Sequence, residues 1–204
     1  METGGGVVRR RYAGRAVTHY TGAAMEGEAD STRPAAGAVT VRRFRPADAP
    51  RVKAITTAAF APVSIDAAVD RRWPGLAPVP WEERKWASMQ PQIAQAPEHC
   101  WVAEAGSEVI GYVTTEVLPA VGVGRIPDLA VDGAWQGQGV GRLLLERALD
   151  MFRELGLPLA RIETLSHNEV GRHLYPSLGF ELVATQLHYV MPLDAGPDSG
   201  GEER

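Results

Sequence analysis

The residues with the plainest chemical potential are the glycines of Gln136-Gly-Gln-Gly-Val-Gly-Arg142, which follow a strongly apolar, β-type run. A glycine-rich turn between a strand and a helix leaves main-chain N–H groups bare, and a helix N-terminus carries a partial positive charge. Together these features form a site where a phosphate or pyrophosphate gains several charge-assisted hydrogen bonds. Gly139 and Gly141 fall in the expected first helical turn, where each costs up to about 1 kcal/mol relative to alanine. Residues 135–145 also lack Asp and Glu, which an empty helix start favours. Two readings stay open: a bound anion, or a tight strand-to-helix connection whose glycines serve packing. A Walker loop is excluded because Gly-Lys-Ser/Thr is absent. A dinucleotide fingerprint fits poorly, with Arg142 in the place of its third glycine and the motif late in the chain.

Other reactive side chains carry weaker signals. His167 and His173 have no carboxylate at ligand spacing, so they read as surface or capping groups and no metal site is expected. Cys100, the one cysteine, stands at a strand start and reads as a small buried hydrophobe rather than an acyl-carrying thiol. Asp66, Asp70, Glu82 and Glu83 either attract a cationic amine or form solvated faces.

The elements that must position these residues follow from periodicity. Residues 39–44 read as a strand, and Pro46-Ala47-Asp48 opens a helix carrying Val52, Ile55, Ala59 and Phe60 at helical spacing. Residues 61–80 read as irregular because of their prolines, and 81–94 as a helix ended by Pro97. Two alternating runs within 99–118 flank Gly106-Ser107, a pair suited to a type II′ hairpin turn. Residues 126–131 form a further strand. Val140, Leu143, Leu144, Ala148, Phe152 and Leu155 predict one apolar face of a helix over 140–155, stopped by Gly156 and Pro158. A strand over 159–165, a helix over 168–178 closed by Gly179, and a hairpin over 180–193 complete the pattern. Strands first and mixed units later predict an α+β (α/β) domain with a mixed sheet.

With 204 residues, 45% hydrophobic and 23% charged, the chain has the composition of one globular domain with tails. Residues 1–38 and 194–204 show no apolar periodicity and read as disordered tails around a domain at 39–193. Met25 is a second candidate start beside Met1. A net charge of −4 with no basic stripe argues against a nucleic-acid partner. No run approaches the ~20 apolar residues of a membrane span, and no signal peptide is legible. One cysteine fits a reducing cytoplasm and excludes a disulfide framework.

Gln136-x-x-Gly139-x-Gly141, after a strand ending Leu129-Ala-Val131, resembles the acetyl-CoA motif Q/R-x-x-G-x-G/A of the GNAT N-acetyltransferases. Downstream, Asn168 and Leu174-Tyr-Pro-Ser-Leu-Gly-Phe180 resemble that family's N-x₆-Y-x₃-G-F block, and residues 41–48, ending Arg45-Pro-Ala-Asp48, resemble its first strand and entry to the first helix. The resemblance covers about residues 39–193. It implies a mostly antiparallel sheet whose two parallel strands, 126–131 and 159–165, splay apart to hold the pantetheine arm.

On this resemblance, main-chain groups of Leu129, Ala130 and Val131 hold pantetheine and polarise the thioester carbonyl. Gln136, Gly137, Gln138, Gly139, Val140, Gly141 and Arg142 bind pyrophosphate, and Asn168 contacts the cofactor's arm. Direct attack by a neutral amine needs a base and an acid. Tyr175 matches the family's tyrosine, and a phenol with a pKa near 10 can donate to sulfur; otherwise it caps the helix as a half-buried aromatic. Glu163 matches a glutamate proposed as base in the subfamily that acetylates ribosomal-protein N-termini, or else it pairs with an arginine. Glu116 is the alternative base, acting through water. Trp73, Trp81 and Trp86 lie around the segment that shapes the acceptor cleft, as substrate contacts or as core. Thr164, Leu165 and Pro176 depart from that subfamily, so the acceptor stays open between a small-molecule amine and a peptide N-terminus. A non-catalytic acyl-CoA-binding module is the alternative within the same fold, and a nucleotide-binding oxidoreductase lies outside it. No motif addresses oligomeric state, and a homodimer is allowed.

Overall fold

The computed structural model describes residues 39–193; the tails expected at 1–38 and 194–204 lie outside the described residues. β1 (Val39–Arg43), β2 (Cys100–Ala105), β3 (Glu108–Leu118), β4 (Val123–Val131) and β5 (Leu159–Ile162) form one mixed sheet in that order. The first four strands pair antiparallel, while β4 and β5 run parallel and are joined through α4 (Val140–Glu154). At the β2–β3 turn Gly106 has φ +62° and Ser107 a negative φ, the signs that a type II′ turn requires.

Helices cover both faces. On one, α1 (Ala49–Phe60) and α3 (Trp81–Gln95) bury Val52, Ile55 and Met89 against Val102, Tyr112 and Ala130, with Trp86 packed alongside. On the other, α4 buries Leu144, Leu145, Ala148 and Phe152 against Trp101, Ile110, Val113 and Ile126. Each such valine, leucine, isoleucine, methionine or phenylalanine contributes about 1.5–3 kcal/mol through burial. The α4 stripe differs from the expected one: Leu143 and Leu155 are 42% and 51% exposed, whereas Leu145, Leu149 and Met151 are buried. At about 100° per residue, Leu143 falls outside the arc running from Val140 to Leu149, and Leu155 lies beyond the helix end. Gly124 makes room for this helix, because a Cβ there would lie 2.4 Å from the Phe152 ring.

The Arg45-Pro-Ala-Asp48 entry has a physical basis. The buried Asp48 carboxylate accepts from the Arg45 main-chain N–H at 2.8 Å and from both terminal nitrogens of Arg42 at 2.7 and 3.0 Å. Arg42 also holds Glu104 of β2 at 2.9 Å, so one guanidinium ties the start of α1 to two strands.

Three expectations are corrected. Residues 61–80 contain α2 (Ile65–Arg72), because their prolines flank the helix, Ser64 Oγ caps it by accepting from Ala67 N, and Asp66 and Arg71-Arg72 suit its two ends. The expected helix over 168–178 divides into α5 (Glu169–Leu174) and a 3₁₀ turn (Pro176–Leu178), since proline cannot continue the α-helical ladder. Residues 180–193 carry no strand, and Leu182, Val183, Tyr189 and Leu193 are more than 80% exposed. With no partner along them, their alternation alone makes no sheet.

Candidate active site

The site begins at an irregularity in β4. Thr114 faces Asp128 and Glu116 faces Arg125, so Ile126 and Pro127 together oppose Thr115 in a β-bulge. The bulge reverses the side-chain alternation: Gly124 and Ile126 face α4, and so do Leu129 and Val131. Parallel pairing with β5 stops at the same point, with Ile126↔Ile162 as its last pair, and Pro127 has no N–H to extend it. The strand expected over 159–165 therefore ends at Ile162. Among the described residues, no strand lies beside the β5-facing edge of β4 beyond the bulge, which includes Leu129, Ala130 and Val131. This is the parting that the resemblance implied.

The glycine-rich turn lies at the end of that edge. Gly137 and Gly139 have φ +73° and +82°, conformations that carry no strain only in glycine, and a Cβ on either would meet nothing within 4 Å. The space in front of them is open. Gly141 differs: a Cβ there would press on Leu174 at 3.3 Å, so this glycine lets α5 approach α4. Of the two open readings, packing therefore fits Gly141, and bare backbone fits Gly137 and Gly139. Among the described residues, no acceptor lies within hydrogen-bond reach of the main-chain N–H groups of Gln138, Gly139, Val140, Gly141 and Arg142. The exposed Gln136 side chain donates through Nε2 to Val131 O at 3.0 Å and braces the turn against β4. Gln138 Nε2 bonds Ala134 O at 2.9 Å, and Arg142 reaches Ser177 Oγ at 2.7 Å. A fan of free donors with no acid in the first helical turn suits the diphosphate of a nucleotide-type cofactor.

Tyr175 follows α5 and packs at the margin of the α4 core, together with Leu174, Leu129 and Val131. Its ring meets Phe180 edge-on at 6.1 Å. Burial pushes its hydroxyl above the ordinary tyrosine value, and a hydrogen bond with Thr164 only partly offsets this. Asn168 caps α5, accepting from Gly171 N at 3.2 Å and donating to Thr164 Oγ1 at 2.8 Å. Its amide is thus engaged in holding the tyrosine's helix.

The two candidate bases meet at one arginine. Arg125 donates to Glu116 Oε2 at 3.3 Å and to Glu163 Oε2 at 3.0 Å, and Arg161 approaches Glu163 Oε1 at 3.2 Å. Arg125 lies between Gly124 and Ile126, so this cluster stands on the face opposite α4, beside the parting. Glu163 does pair with arginine; each of its oxygens retains lone pairs for a water.

Sequence reasoning missed three participants. Thr164 faces both Tyr175 and Asn168. Arg125 joins the carboxylates. Asp128, 3% exposed, pairs with Lys85 of α3 and accepts from Thr114 Oγ1 at 3.3 Å. Its signal was an acid inside the otherwise apolar run 126–131. Cys100 is buried, and burial pushes its thiol up to about 11, which suits packing rather than acyl transfer. His167 and His173 bond main-chain oxygens of Pro62 and Glu169, as capping groups do. No cluster of metal-ligating side chains occurs among the described residues.

A parted parallel pair beside a bare glycine-rich helix start defines an acyl-CoA N-acyltransferase fold. The family model of the Acetyltransferase (GNAT) family matches residues 65–180, more than half of the chain, and the chain belongs to that family. It is 39% identical over 75 residues to a mycothiol acetyltransferase from Nocardiopsis dassonvillei, covering 37% of this chain and 23% of that one. It is 29% identical over 120 residues to the Escherichia coli [ribosomal protein bS18]-alanine N-acetyltransferase, covering 59% of this chain and 77% of that one. The crystal structure of PaiA N-acetyltransferase from Thermoplasma acidophilum in complex with coenzyme A superposes with a TM-score of 0.60 at 16% identity, covering 73% of this chain and 93% of that one. The chain spans between 21% and 38% of the length of the mycothiol acetyltransferases it matches.

Proposed function

We propose that this protein is an acetyl-CoA-dependent N-acetyltransferase that acylates a primary amine by direct attack, in the cytoplasm. The observation that carries this is the fan of unpartnered main-chain N–H groups from Gln138 to Arg142 at the end of a strand edge left free by the Ile126-Pro127 bulge. The coenzyme A bound in the Thermoplasma structure and the acetyltransferase names of the relatives support it. The turn holds the diphosphate, and the free edge at Leu129, Ala130 and Val131 holds the extended arm.

Acetyl-CoA supplies the acetyl group as an activated thioester. In the net change an N–C bond forms, the C–S bond breaks, one proton leaves nitrogen and one joins sulfur. Glu163, with Glu116 across Arg125, takes the nitrogen's proton through a water. Tyr175 retains its proton through neutral pH and gives it to sulfur, and Asn168 and Thr164 hold it in place. Release of CoA from acetyl-CoA across a panel of amines tests this reading. Binding of acetyl-CoA with no release for any amine would instead favour a non-catalytic acyl-CoA-binding module.

A further inference from the structure

Helix α2 carries an apolar stripe that the core does not use. Ile65, Ala68, Val69 and Trp73 fall at helical spacing, and they form one wall of a cavity of about 410 Å³, within the range of small-molecule sites. Leu165 with Tyr189 and Val190 forms the other wall. Leu165 stands two residues after Glu163 and three after the last β5 pair, so this wall adjoins the chain segment that carries Glu163. Helix α2 packs along α3, in the layer opposite α4, and His167 ties the segment after β5 to Pro62. The cavity therefore lies in the layer opposite α4, beside the segment that carries Glu163.

The charges around it select its occupant. Asp66 and Asp70, the nearest acids on α2, are both bound by Arg84, at 3.3 and 2.8 Å. The Arg72 guanidinium lies 5.3 Å from the Trp73 ring. His188 adds the one further lining side chain able to carry positive charge. Among the described residues lining the cavity there is no carboxylate for a second ammonium, and a cation lies over the wall, while an aromatic or branched apolar group would cover the α2 stripe.

We infer that the acceptor is a small monoamine bearing an aromatic or branched aliphatic group, with that group seated between Trp73 and Leu165. This rests on the acetyltransferase reading for its chemistry but not for its binding. The test has two arms on the full chain: CoA release with phenethylamine, isoamylamine, spermidine and an alanine-initiated tripeptide, and phenethylamine binding to the protein–CoA complex followed by tryptophan fluorescence and calorimetry. Phenethylamine and isoamylamine are expected to exceed spermidine and the tripeptide at least tenfold in kcat/KM. Trp73→Ala is expected to raise KM for phenethylamine about tenfold with kcat little changed, while CoA affinity stays that of the wild type. Preference for spermidine or the tripeptide would overturn the inference and leave the acetyltransferase reading standing. Phenethylamine binding without CoA release from any amine would show the cavity to be a monoamine site and overturn both the acceptor role and that reading. Absence of phenethylamine binding in a protein that binds CoA would overturn the inference.

Discussion

Tyr175 holds its proton because it is half-buried among Leu174, Phe180 and Thr164, and this has two measurable consequences. Tyr175→Phe lowers kcat/KM at least tenfold, and Glu163→Gln does so with KM for acetyl-CoA little changed, given a usual general acid–base contribution of roughly 10² to 10⁴. If both variants turn over as the wild type does, those roles are wrong. Since the hydroxyl is raised above its ordinary value near 10, the alkaline fall in kcat/KM due to the acid lies above about pH 10; a fall centred near neutrality would contradict the assignment. Cys100 gives an independent check on the core. Its pKa is raised from 9.0 to about 11 by burial, so its contribution to stability is complete below pH 9 and is lost as the pH rises toward 11. Over that window the loss approaches about 1.4 kcal/mol per pH unit. Urea titrations of wild type and Cys100→Ala at pH 8 and 10 should diverge by this amount, the wild type losing more.

At the scale of elements, the junction of β1, β2 and α1 depends on one guanidinium. Burial alone would raise the Asp48 pKa, yet the bonds from Arg42 and Arg45 outweigh it and the net value lies below the usual carboxylate range. That contribution is present above the ordinary Asp value and is lost as pH falls below it. Asp48→Ala removes the shared acceptor and leaves Arg42 partly buried beside Glu104 alone, at a cost of about 1–3 kcal/mol in urea unfolding at pH 7. A loss below 1 kcal/mol would mean the network is incidental. The bulge in β4 is the element that makes the site: without the extra residue, Leu129 and Val131 would turn to the other face and pairing with β5 could continue.

Across the whole molecule, local signals were legible and long-range ones were not. The β2–β3 hairpin, α1, α3 and the start of α4 follow from turn chemistry and periodicity, because those rules concern neighbours in the chain. The hairpin expected over 180–193 failed because alternation needs a paired edge to become a strand. Helix α2 was hidden by prolines that flank it. In the site, the glycine turn and Tyr175 were visible through their spacing. Arg125 between two carboxylates and Thr164 beneath Tyr175 were not, since only the register of β3, β4 and β5 and the fold of α5 bring them there. The cradle lies entirely after residue 123, and β1 begins at Val39, so a chain lacking residues 1–38 should bind CoA with unchanged affinity by calorimetry. A drop of tenfold or more would place part of the site in that segment.

Isothermal titration of the full chain with coenzyme A, beside Gly139→Val, addresses the cradle most directly. The wild type should give saturable heat, and the variant should lose affinity at least tenfold while keeping a cooperative thermal transition, because a β-branched residue cannot hold φ +82° without strain and projects into the open space before the turn. No heat from the wild type, or equal affinity in the two proteins, would contradict diphosphate binding by the bare backbone at the start of α4.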